Sequence, residues 1–194
     1  MRVEVLTGSM LDSALEDVAR LRISVFRDFP YLYDGNLAYE RDYLQKYRTS
    51  RQAVLVGAFD GDSLVGAATG TPMQDHAEDF ATAFAQTGLD LNTVFYCAES
   101  VLLPQYRGRG IGHRFFDLRE AHARDLGKSV CAFCAVVRPD DHPLRPSAYA
   151  PLDPFWLRRG YVPLDGVKAR FDWKDVDQDQ STPKTLQFWS RNLD

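Results

Sequence analysis

Positions 105–112 of the chain read Gln-Tyr-Arg-Gly-Arg-Gly-Ile-Gly. An apolar run at 94–103 precedes this stretch, and apolar residues at helical spacing follow it as far as Gly127. The pattern predicts a buried strand, a glycine-rich loop and an amphipathic helix. The first N–H groups of such a helix and its dipole favour an anion, and glycine lets the main chain approach phosphate oxygens closely. Because Arg107 and Arg109 add positive charge, the stretch is a candidate phosphate site.

Two common phosphate-binding motifs do not fit this stretch. A Walker loop needs a lysine followed by serine or threonine after its second glycine, and neither is present. A dinucleotide-binding fingerprint read from Gly108 requires a glycine at position 113, where the chain has His113, and it belongs near the first strand. The loop therefore indicates a different kind of phosphate-containing ligand.

Strands and helices alternate around this loop. No repeat, low-complexity block or linker divides the chain, so we expect a single domain over residues 1–194. One sheet with helices on both faces, a mixed α/β fold, accommodates this order of elements. The predicted strands lie at 2–6, 53–59, 64–71, 94–103 and 129–137 and from Gly160 onwards, and the predicted helices lie at 11–25, 37–48, 76–86, 111–126 and 155–159.

Composition limits the class of protein. Of the 194 residues, 45% are hydrophobic and 26% are charged, which argues against disorder. The net charge of −4 argues against a nucleic-acid-binding groove. No apolar run approaches the ~20 residues that a membrane-spanning helix needs. Met1 leads directly into the first strand with no apolar leader, so we expect a soluble, cytoplasmic protein that binds neither nucleic acid nor membrane.

The cysteines and histidines do not predict a metal site. Cys131 and Cys134 have the spacing of a redox or metal pair, but residues i and i+3 of a strand point to opposite faces. With Cys97 the count is odd, so any disulfide scheme leaves one thiol over, and we expect buried, reduced thiols. His113 and His122 lie nine residues apart on one helix and point to opposite faces, so no metal is expected there either.

The motif Gln105-x-x-Gly108-x-Gly110, after a strand that ends in Val-Leu-Leu-Pro, resembles the pyrophosphate loop of the GNAT superfamily, the acyl-CoA-dependent N-acetyltransferases. Further along, Phe155–Tyr161 is similar to the short helix that leads into a Gly-aromatic strand in that superfamily. The order of elements matches over nearly the whole chain. The resemblance implies a mixed, mostly antiparallel sheet of six to seven strands with helices on both faces. It also implies an acyltransferase that uses acetyl-CoA and no metal.

The resemblance assigns a donor site as well. It implies that main-chain N–H groups of the glycine-rich stretch hold the pyrophosphate and that the preceding strand pairs with the pantetheine arm. That strand is implied to splay from the strand at 129–137, so that cofactor and acceptor enter from opposite sides. The implied cofactor-binding residues are Leu102, Leu103, Arg107, Gly108, Arg109, Gly110, Ile111 and Gly112.

Glu99 is the candidate base for the attacking amine, because members of the superfamily often carry a base near this point. If Glu99 acts in this way, shielding from water should raise its pKa toward neutrality. The alternatives are that Glu99 pairs with an arginine or lies at a solvated end of the sheet.

The proton donor for the leaving thiolate has no obvious equivalent in this chain. Many members of the superfamily have a tyrosine in the short helix where this chain has Trp156, and an indole is not a practical proton donor. Tyr149, Tyr161, His142 and water are the candidates, and Tyr149 is preferred because it lies in the loop before that helix. The usual asparagine after the preceding strand is also missing, and Arg138 begins the segment in its place.

The aromatic stretch 29–35 borders the implied acceptor site. Its rings, together with Asp28 and Asp34, could hold a cationic amine, whereas Arg138, Arg145 and His142 could hold a carboxylate. The two interpretations predict acceptors of opposite charge. We expect the acceptor to be a small primary amine or an amino-acid-like metabolite, and the alternative function is a non-catalytic acyl-CoA-binding sensor.

Aromatic residues in the last strands, at 171–173 and 186–189, are a candidate homodimer contact. Exposed aromatic strand edges often bind partners.

Overall fold

The computed structural model describes residues 1–85 and 87–193. The helix predicted at 76–86 is present as α3, and Gln86 lies outside the described residues. The strands are β1 (Arg2–Val5), β2 (Val54–Asp60), β3 (Ser63–Pro72), β4 (Val94–Tyr96), β5 (Ser100–Leu102), β6 (Val130–Val136), β7 (Val162–Lys174) and β8 (Ser181–Asn192). The helices are α1 (Gly8–Phe26), α2 (Leu37–Thr49), α3 (Ala77–Phe84), α4 (Ile111–Asp125) and α5 (Asp153–Arg158).

Local signals set several of these boundaries. Asn36 caps α2, since its side-chain oxygen accepts from the N–H groups of Ala38 and Tyr39 at 2.9 and 3.1 Å. Gly61 turns the β2–β3 hairpin with a φ of 60°, and Gly127 follows α4 with a φ of 70°. These residues therefore mark where α2 begins, where the β2–β3 hairpin turns and where α4 ends.

The described strands form one sheet in the order β1-β2-β3-β4-β6-β8-β7, with β5 paired to β3. Every pairing is antiparallel except that of β4 with β6. The mixed, mostly antiparallel sheet is confirmed. It has eight strands instead of six to seven, because the strand predicted at 94–103 is divided into β4 and β5.

The division between β4 and β5 opens the sheet. β4 runs beside β6, and the last link between them is the hydrogen bond from Cys97 N to Ala132 O at 2.8 Å. Beyond it β5 stays with β3, while β6 continues along β8. Among residues 1–85 and 87–193 no strand pairs with the other edge of β5. We call the space between Ser100–Leu102 and Phe133–Val136 the gap.

Helices cover both faces of the sheet, as predicted. α1, α2 and α3 pack on one face, which we call the front, against residues that include Leu55, Val101 and Phe188. α4 and α5 pack on the other face, the back, against residues that include Val56 and Phe133. The gap therefore lies between two helical layers.

The cysteines and the late aromatic residues are inside the protein. Cys131 lies in the back core and Cys134 in the front core, so the prediction that they face opposite sides is confirmed, and all three thiols are free and buried. Phe188 and Trp189 are only 0% and 6% exposed, and Trp173 Nε1 donates to the main chain. The expectation of an exposed edge is therefore wrong for Phe188 and Trp189, whereas Phe171 and Trp173 are partly exposed.

The described residues form neither a metal-binding cluster nor a membrane-spanning helix. Within 1–85 and 87–193, no group of three histidine, cysteine, aspartate or glutamate side chains is placed to hold a metal ion. None of the described helices combines the length and the apolar character that crossing a membrane requires.

Candidate active site

The glycine-rich stretch forms a tight loop between β5 and α4. A short 3₁₀ turn spans Pro104–Tyr106, and Gly108 and Gly110 then adopt φ values of 74° and 80°. L side chains rarely adopt this left-handed conformation, although a Cβ at either position would meet no atom within 4 Å. Main-chain conformation, and not crowding, therefore requires glycine at both positions.

The first turn of α4 offers N–H groups to an anion. Its N-cap residue, Gly110, provides no side-chain cap, and the turn contains no acidic residue. Arg114 N donates to Gly110 O at 3.2 Å, which leaves the N–H groups of residues 111–113 without a partner in the helix. Arg107 and Arg109 are exposed on the same loop. These groups fit a pyrophosphate.

Side-chain contacts hold this loop against the neighbouring strands. The Tyr106 hydroxyl donates to Asp60 Oδ2 in the β2–β3 turn at 2.9 Å, and the Arg109 guanidinium lies 5.3 Å from the centre of the Tyr106 ring. Arg107 Nε donates to Leu102 O at 3.3 Å. The loop is thus held against both β2 and β5.

The hydrogen-bond pattern of β5 shows which of its main-chain groups face the gap. Thr69 N donates to Glu99 O and Leu103 N donates to Val65 O, both at 3.0 Å. Since alternate residues direct their main-chain groups to opposite edges, those of Ser100 and Leu102 point to the gap. Of the two residues predicted to pair with pantetheine, Leu102 therefore lies at the open edge, whereas the Leu103 N–H is already bonded to β3.

The same reasoning applies to β6 across the gap. Val137 N donates to Thr185 O at 2.9 Å, so the odd-numbered residues of β6 bond to β8. The main-chain groups of Cys134 and Val136 consequently face the gap. Two strand edges thus line it on either side, and their main-chain groups at the gap bond to no described strand.

Glu99 lies between β4 and β5 on the front face. Its carboxylate accepts hydrogen bonds from the Tyr43 hydroxyl and from Thr69 Oγ1, the latter at 2.5 Å. Arg22 Nη1 of α1 lies 2.9 Å from Glu99 Oε1, and Arg22 Nε donates to Glu40 Oε2 at 2.5 Å. The side chain of Glu99 is 17% exposed. Glu99 therefore pairs with an arginine, which is one of the two alternatives to its role as the base.

The ion pair determines the charge of Glu99. Burial raises the pKa of the carboxyl, but the positive charge of Arg22 and the hydrogen bonds from Thr69 and Tyr43 outweigh burial, so the pKa lies below its ordinary value. The expected rise toward neutrality is therefore wrong. Glu99 is ionised at neutral pH, and it is a weaker base than predicted.

Arg119 of α4 bonds from the back face to the segment where β4 and β5 separate. Its Nη1 donates to Thr69 O at 3.2 Å and to Glu99 O at 3.0 Å, and its Nη2 donates to Ser100 Oγ at 2.9 Å. The residue is 1% exposed. Sequence reasoning missed it, although an arginine four residues after Phe115 on an apolar helix face is a usable signal.

Further groups of the front face surround Glu99. Lys46 Nζ of α2 lies 3.8 Å from the centre of the Tyr43 ring, and burial lowers the pKa of Lys46. His76, just before α3, shares a 2.9 Å hydrogen bond between its Nε2 and Thr71 Oγ1. Both residues lie within electrostatic reach of Glu99.

The predicted proton donors lie in different surroundings. Tyr149 packs edge-on against Phe29, with ring centres 4.7 Å apart, and burial raises its pKa. The Tyr161 hydroxyl donates to Glu120 Oε1 at 3.0 Å, and His142 Nδ1 accepts from a main-chain N–H of its own loop at 3.2 Å. Trp156 packs on Phe133 at 4.9 Å. The structure thus gathers Tyr149 and His142 around Phe29, and Tyr161 and Trp156 around Phe133, and none of the four contacts Glu99.

Arg138 holds the loop between α1 and α2. It forms two hydrogen bonds to the Asp175 carboxylate, at 2.8 and 2.9 Å, and donates to Pro30 O and Tyr31 O, both at 2.7 Å. Its side chain is 8% exposed. Because Arg138 is engaged in this way, it is unavailable to an acceptor carboxylate, which corrects that expectation. Asp34 is likewise paired, with Lys174 Nζ 2.5 Å from its Oδ2.

Comparisons with known proteins agree with this geometry. The model of the acetyltransferase (GNAT) family matches residues 16–146, more than half of the chain. No curated protein sequence matches the chain.

Solved structures of the same fold have low sequence identity to this chain. One is ribosomal-protein-alanine N-acetyltransferase from Brucella melitensis, at 11% identity and a TM-score of 0.64 over 100% of both chains. Another is an aminoglycoside 6'-N-acetyltransferase complexed with coenzyme A, at 16% identity and a TM-score of 0.60 over 100% of this chain and 98% of that one. A third is an N-acetyltransferase from Staphylococcus aureus Mu50, at 9% identity and a TM-score of 0.62 over 100% of both.

The fold, the anion-binding loop and the family match point to one conclusion. Enzymes of this family transfer an acetyl group from acetyl-CoA to an amine, and the uncapped start of α4 is of the kind that favours an anion. The chain belongs to the GNAT acetyltransferase family and is an acetyl-CoA-dependent N-acetyltransferase.

Proposed function

We propose that the acceptor is a small primary amine or an amino-acid-like metabolite, whose nitrogen attacks the thioester of acetyl-CoA directly. The observation that carries this proposal is the gap between β5 and β6. The glycine-rich loop borders it on one side, and the front-face groups around Glu99 border it on the other. Donor and acceptor can therefore meet there.

For the donor, the proposal uses the loop and the open edge of β5. The N–H groups at Arg107–Gly112 receive the pyrophosphate, and Arg107 and Arg109 add positive charge. The main-chain N–H of Leu102 pairs with the pantetheine arm, while Leu103 contributes its apolar side chain, which is partly buried in the back core.

For the acceptor, the proposal uses Glu99 as the group that receives the amine. An ionised carboxylate attracts an ammonium group, and a front-face water can take the proton before attack. A weak base suffices for this role, because the carboxylate only has to hold the amine in place. Lys46 is near enough to attract an acceptor carboxylate, which favours an amino-acid-like molecule over a simple amine.

A second candidate function is a sensor that binds acyl-CoA without turning it over. Trp156 in place of a tyrosine favours it, since the indole is packed against Phe133 and Trp189 and donates no proton to a thiolate. For an active enzyme we keep the proposal, made from the sequence, that Tyr149 donates the proton to the leaving thiolate.

A panel of primary amines and amino acids, assayed for thiol release from acetyl-CoA, separates the two functions. We expect turnover with at least one small amine, and we expect Glu99→Gln to lose turnover while still binding CoA. Absence of turnover across the panel in a protein that binds acetyl-CoA would favour the sensor.

We also propose the domain organisation, the location and the dimer contact of the protein. One domain extends over residues 1–194, and the free thiols suit the reducing conditions of the cytoplasm. A homodimer uses the main-chain edge of β7, which ends the described sheet, and not the buried Phe188 and Trp189.

A further inference from the structure

Lys46 of α2 differs from the other basic residues of the two front helices in its contacts. The basic residues of α1 and α2 that pair with a carboxylate oxygen, at distances of 2.5–2.9 Å, are Arg20, Arg22, Arg41 and Arg48. Among the residues that the structure describes, no carboxylate lies within ion-pair distance of Lys46, and its ammonium group donates no hydrogen bond. Within this part of the chain, Lys46 thus lacks the counter-ion that the other four have.

Aromatic rings surround the ammonium group of Lys46 instead. Its Nζ lies 3.8 Å from the centre of the Tyr43 ring and 5.4 Å from the centre of the Tyr47 ring. The rings attract a cation but supply no negative charge. The side chain is half-buried, and burial lowers the pKa of Lys46 because water is partly excluded from the ammonium group. A half-buried ammonium group in such surroundings favours an anionic ligand.

Tyr43 also connects Lys46 to Glu99. The Tyr43 hydroxyl donates to Glu99 Oε1, so one phenol ring and one hydrogen bond separate the cation from the carboxylate. This arrangement limits the distance between Lys46 Nζ and the Glu99 carboxylate to about 9 Å at most. The front side of the gap therefore presents a positive and a negative group at a defined separation.

The neighbouring charged groups are already engaged. Arg22 Nη1 lies 2.9 Å from Glu99 Oε1, so its charge is directed to that carboxylate. Asp79 of α3 attracts Lys46 from beyond ion-pair distance, and its Oδ2 lies 3.6 Å from His76 Nδ1. Lys46 is therefore the cation near Glu99 that a ligand can bind without first breaking an ion pair among the described residues.

We propose that Lys46 binds the carboxylate of the acceptor and that the acceptor is an α-amino acid, acetylated on its α-nitrogen. This proposal rests on the proposed function and narrows it. An α-amino acid that bonds through its ammonium group to Glu99 and through its carboxylate to Lys46 spans about 6–9 Å between the two side chains. A longer chain between the two charges exceeds this distance, and amides and simple amines lack the anion. Lys46 thus determines specificity.

Lys46 takes no part in the proton transfers of the chemical step. The α-ammonium group releases one proton to water, and the neutral nitrogen forms a bond to the thioester carbonyl carbon. The carbon–sulfur bond breaks, the sulfur takes the electron pair, and the second proton lost by the nitrogen ends on the sulfur. The products are the N-acetyl amino acid, free CoA and one proton in solvent.

A panel of matched acceptors tests the proposal through thiol release from acetyl-CoA. Each standard α-amino acid is compared with its α-carboxamide and with the amine that lacks the carboxylate, and alanine is also compared with β-alanine. We expect the wild-type protein to prefer at least one α-amino acid over its amide, and alanine over β-alanine wherever either reacts. The ratio of kcat/KM values is compared between protein variants, so that the intrinsic reactivities of the amines cancel.

Lys46→Met should remove this preference. We expect kcat/KM for the best α-amino acid to fall about 10–100-fold, mainly through a higher KM, and kcat/KM for its amide to change less than about threefold. Lys46→Arg keeps the positive charge and should restore most of the preference. Lys168→Met, at an exposed lysine of β7, is the matched control and should behave as the wild type. Since Lys46 forms no ion pair with a described residue, the thermal midpoint of Lys46→Met should stay close to that of the wild type.

The outcomes distinguish this proposal from the proposed function. Turnover of amides or simple amines in preference to every α-amino acid by the wild-type protein would overturn the proposal and leave the proposed function standing. An equal fall for amino acid and amide in Lys46→Met would overturn it as well. Absence of thiol release with every amine, in a protein that binds acetyl-CoA, would contradict the proposed function itself.

Discussion

Arg22 and Glu99 form a buried ion pair that joins the first helix to the break in the sheet, with Arg22 Nη1 2.9 Å from Glu99 Oε1. Arg119 bonds the carbonyl oxygen of the same glutamate from the opposite face. The point at which β4 and β5 separate is therefore fixed by two arginines, one from each helical layer. Buried arginines in these positions hold the gap open in a defined shape.

Glu99→Gln should reduce stability as well as turnover. The substitution leaves Arg22 with Glu40 as its remaining anion, and we expect the free energy of unfolding to fall by about 2–4 kcal/mol. Denaturant titration measures this change. Glu16→Gln, in an exposed pair with Arg41, is the control and should have no measurable effect. Equal losses in both variants would contradict the role of the buried pair.

The same ion pair predicts a pH dependence of stability. Because the folded pKa of Glu99 is lowered, its stabilisation is complete above the pKa of the unfolded chain, about 4.3, and is lost as the pH falls through the lower folded value. The unfolding free energy of the wild type should therefore fall more steeply below that pH than that of Glu99→Gln. Parallel curves for the two proteins would show that Glu99 is not the group responsible.

Arg119→Met should affect both stability and donor binding. It leaves the carbonyl oxygens of Thr69 and Glu99 without their donor, which should cost about 3 kcal/mol in unfolding free energy. Because the β5 edge then shifts, the Kd of acetyl-CoA should rise about tenfold. Arg114→Met on the exposed side of α4 is the control. A variant with normal Kd would limit Arg119 to a structural role.

Arg138→Met should separate acceptor chemistry from donor binding. The loop at 29–35, which borders the acceptor site in the proposed function, loses its donors to Pro30 O and Tyr31 O, so we expect kcat to fall about 10–100-fold with the Kd of acetyl-CoA nearly unchanged. Calorimetry and steady-state kinetics on the same preparations check both quantities. A loss of acetyl-CoA affinity with kcat unchanged would contradict this expectation.

The loop before α4 could be predicted because its signals are local. Gly108 and Gly110 are adjacent to a predicted helix, and both have a positive φ in the structure. Glycine, unlike other residues, enters this conformation without strain. The order of strands and helices was predictable for the same reason, since period and turn residues are read within a short window.

The break in the sheet was not predictable in this way. The apolar pattern continues through 94–103, so nothing in it separates β4 from β5. The break depends on Arg22 and Arg119, which lie 77 residues before and 20 residues after Glu99. A sequence pattern assigns such arginines to the surface, because charged side chains are seldom buried without a partner. The lowered pKa of Glu99 could not be foreseen without them.

The position of Tyr31 depends on a still more distant contact. Arg138 donates to Pro30 O from 108 residues further along the chain. Within the sequence, Tyr31 is one of several aromatic residues at 29–35, and only the contacts of the loop distinguish it from Tyr33. Loop conformations that depend on such distant contacts need the tertiary structure for their assignment.

Calorimetric titration with acetyl-CoA, CoA and ATP tests the central claim most directly, with Gly110→Val and Gly166→Val as paired variants. Gly166 also has a positive φ, of 72°, and lies in β7, outside the glycine-rich loop, so it controls for strain alone. We predict saturable binding of acetyl-CoA and CoA and no binding of ATP. The affinity for both CoA compounds should fall about tenfold or more in Gly110→Val and should be retained in Gly166→Val. No binding at millimolar acetyl-CoA, or equal binding by the two variants, would contradict the account.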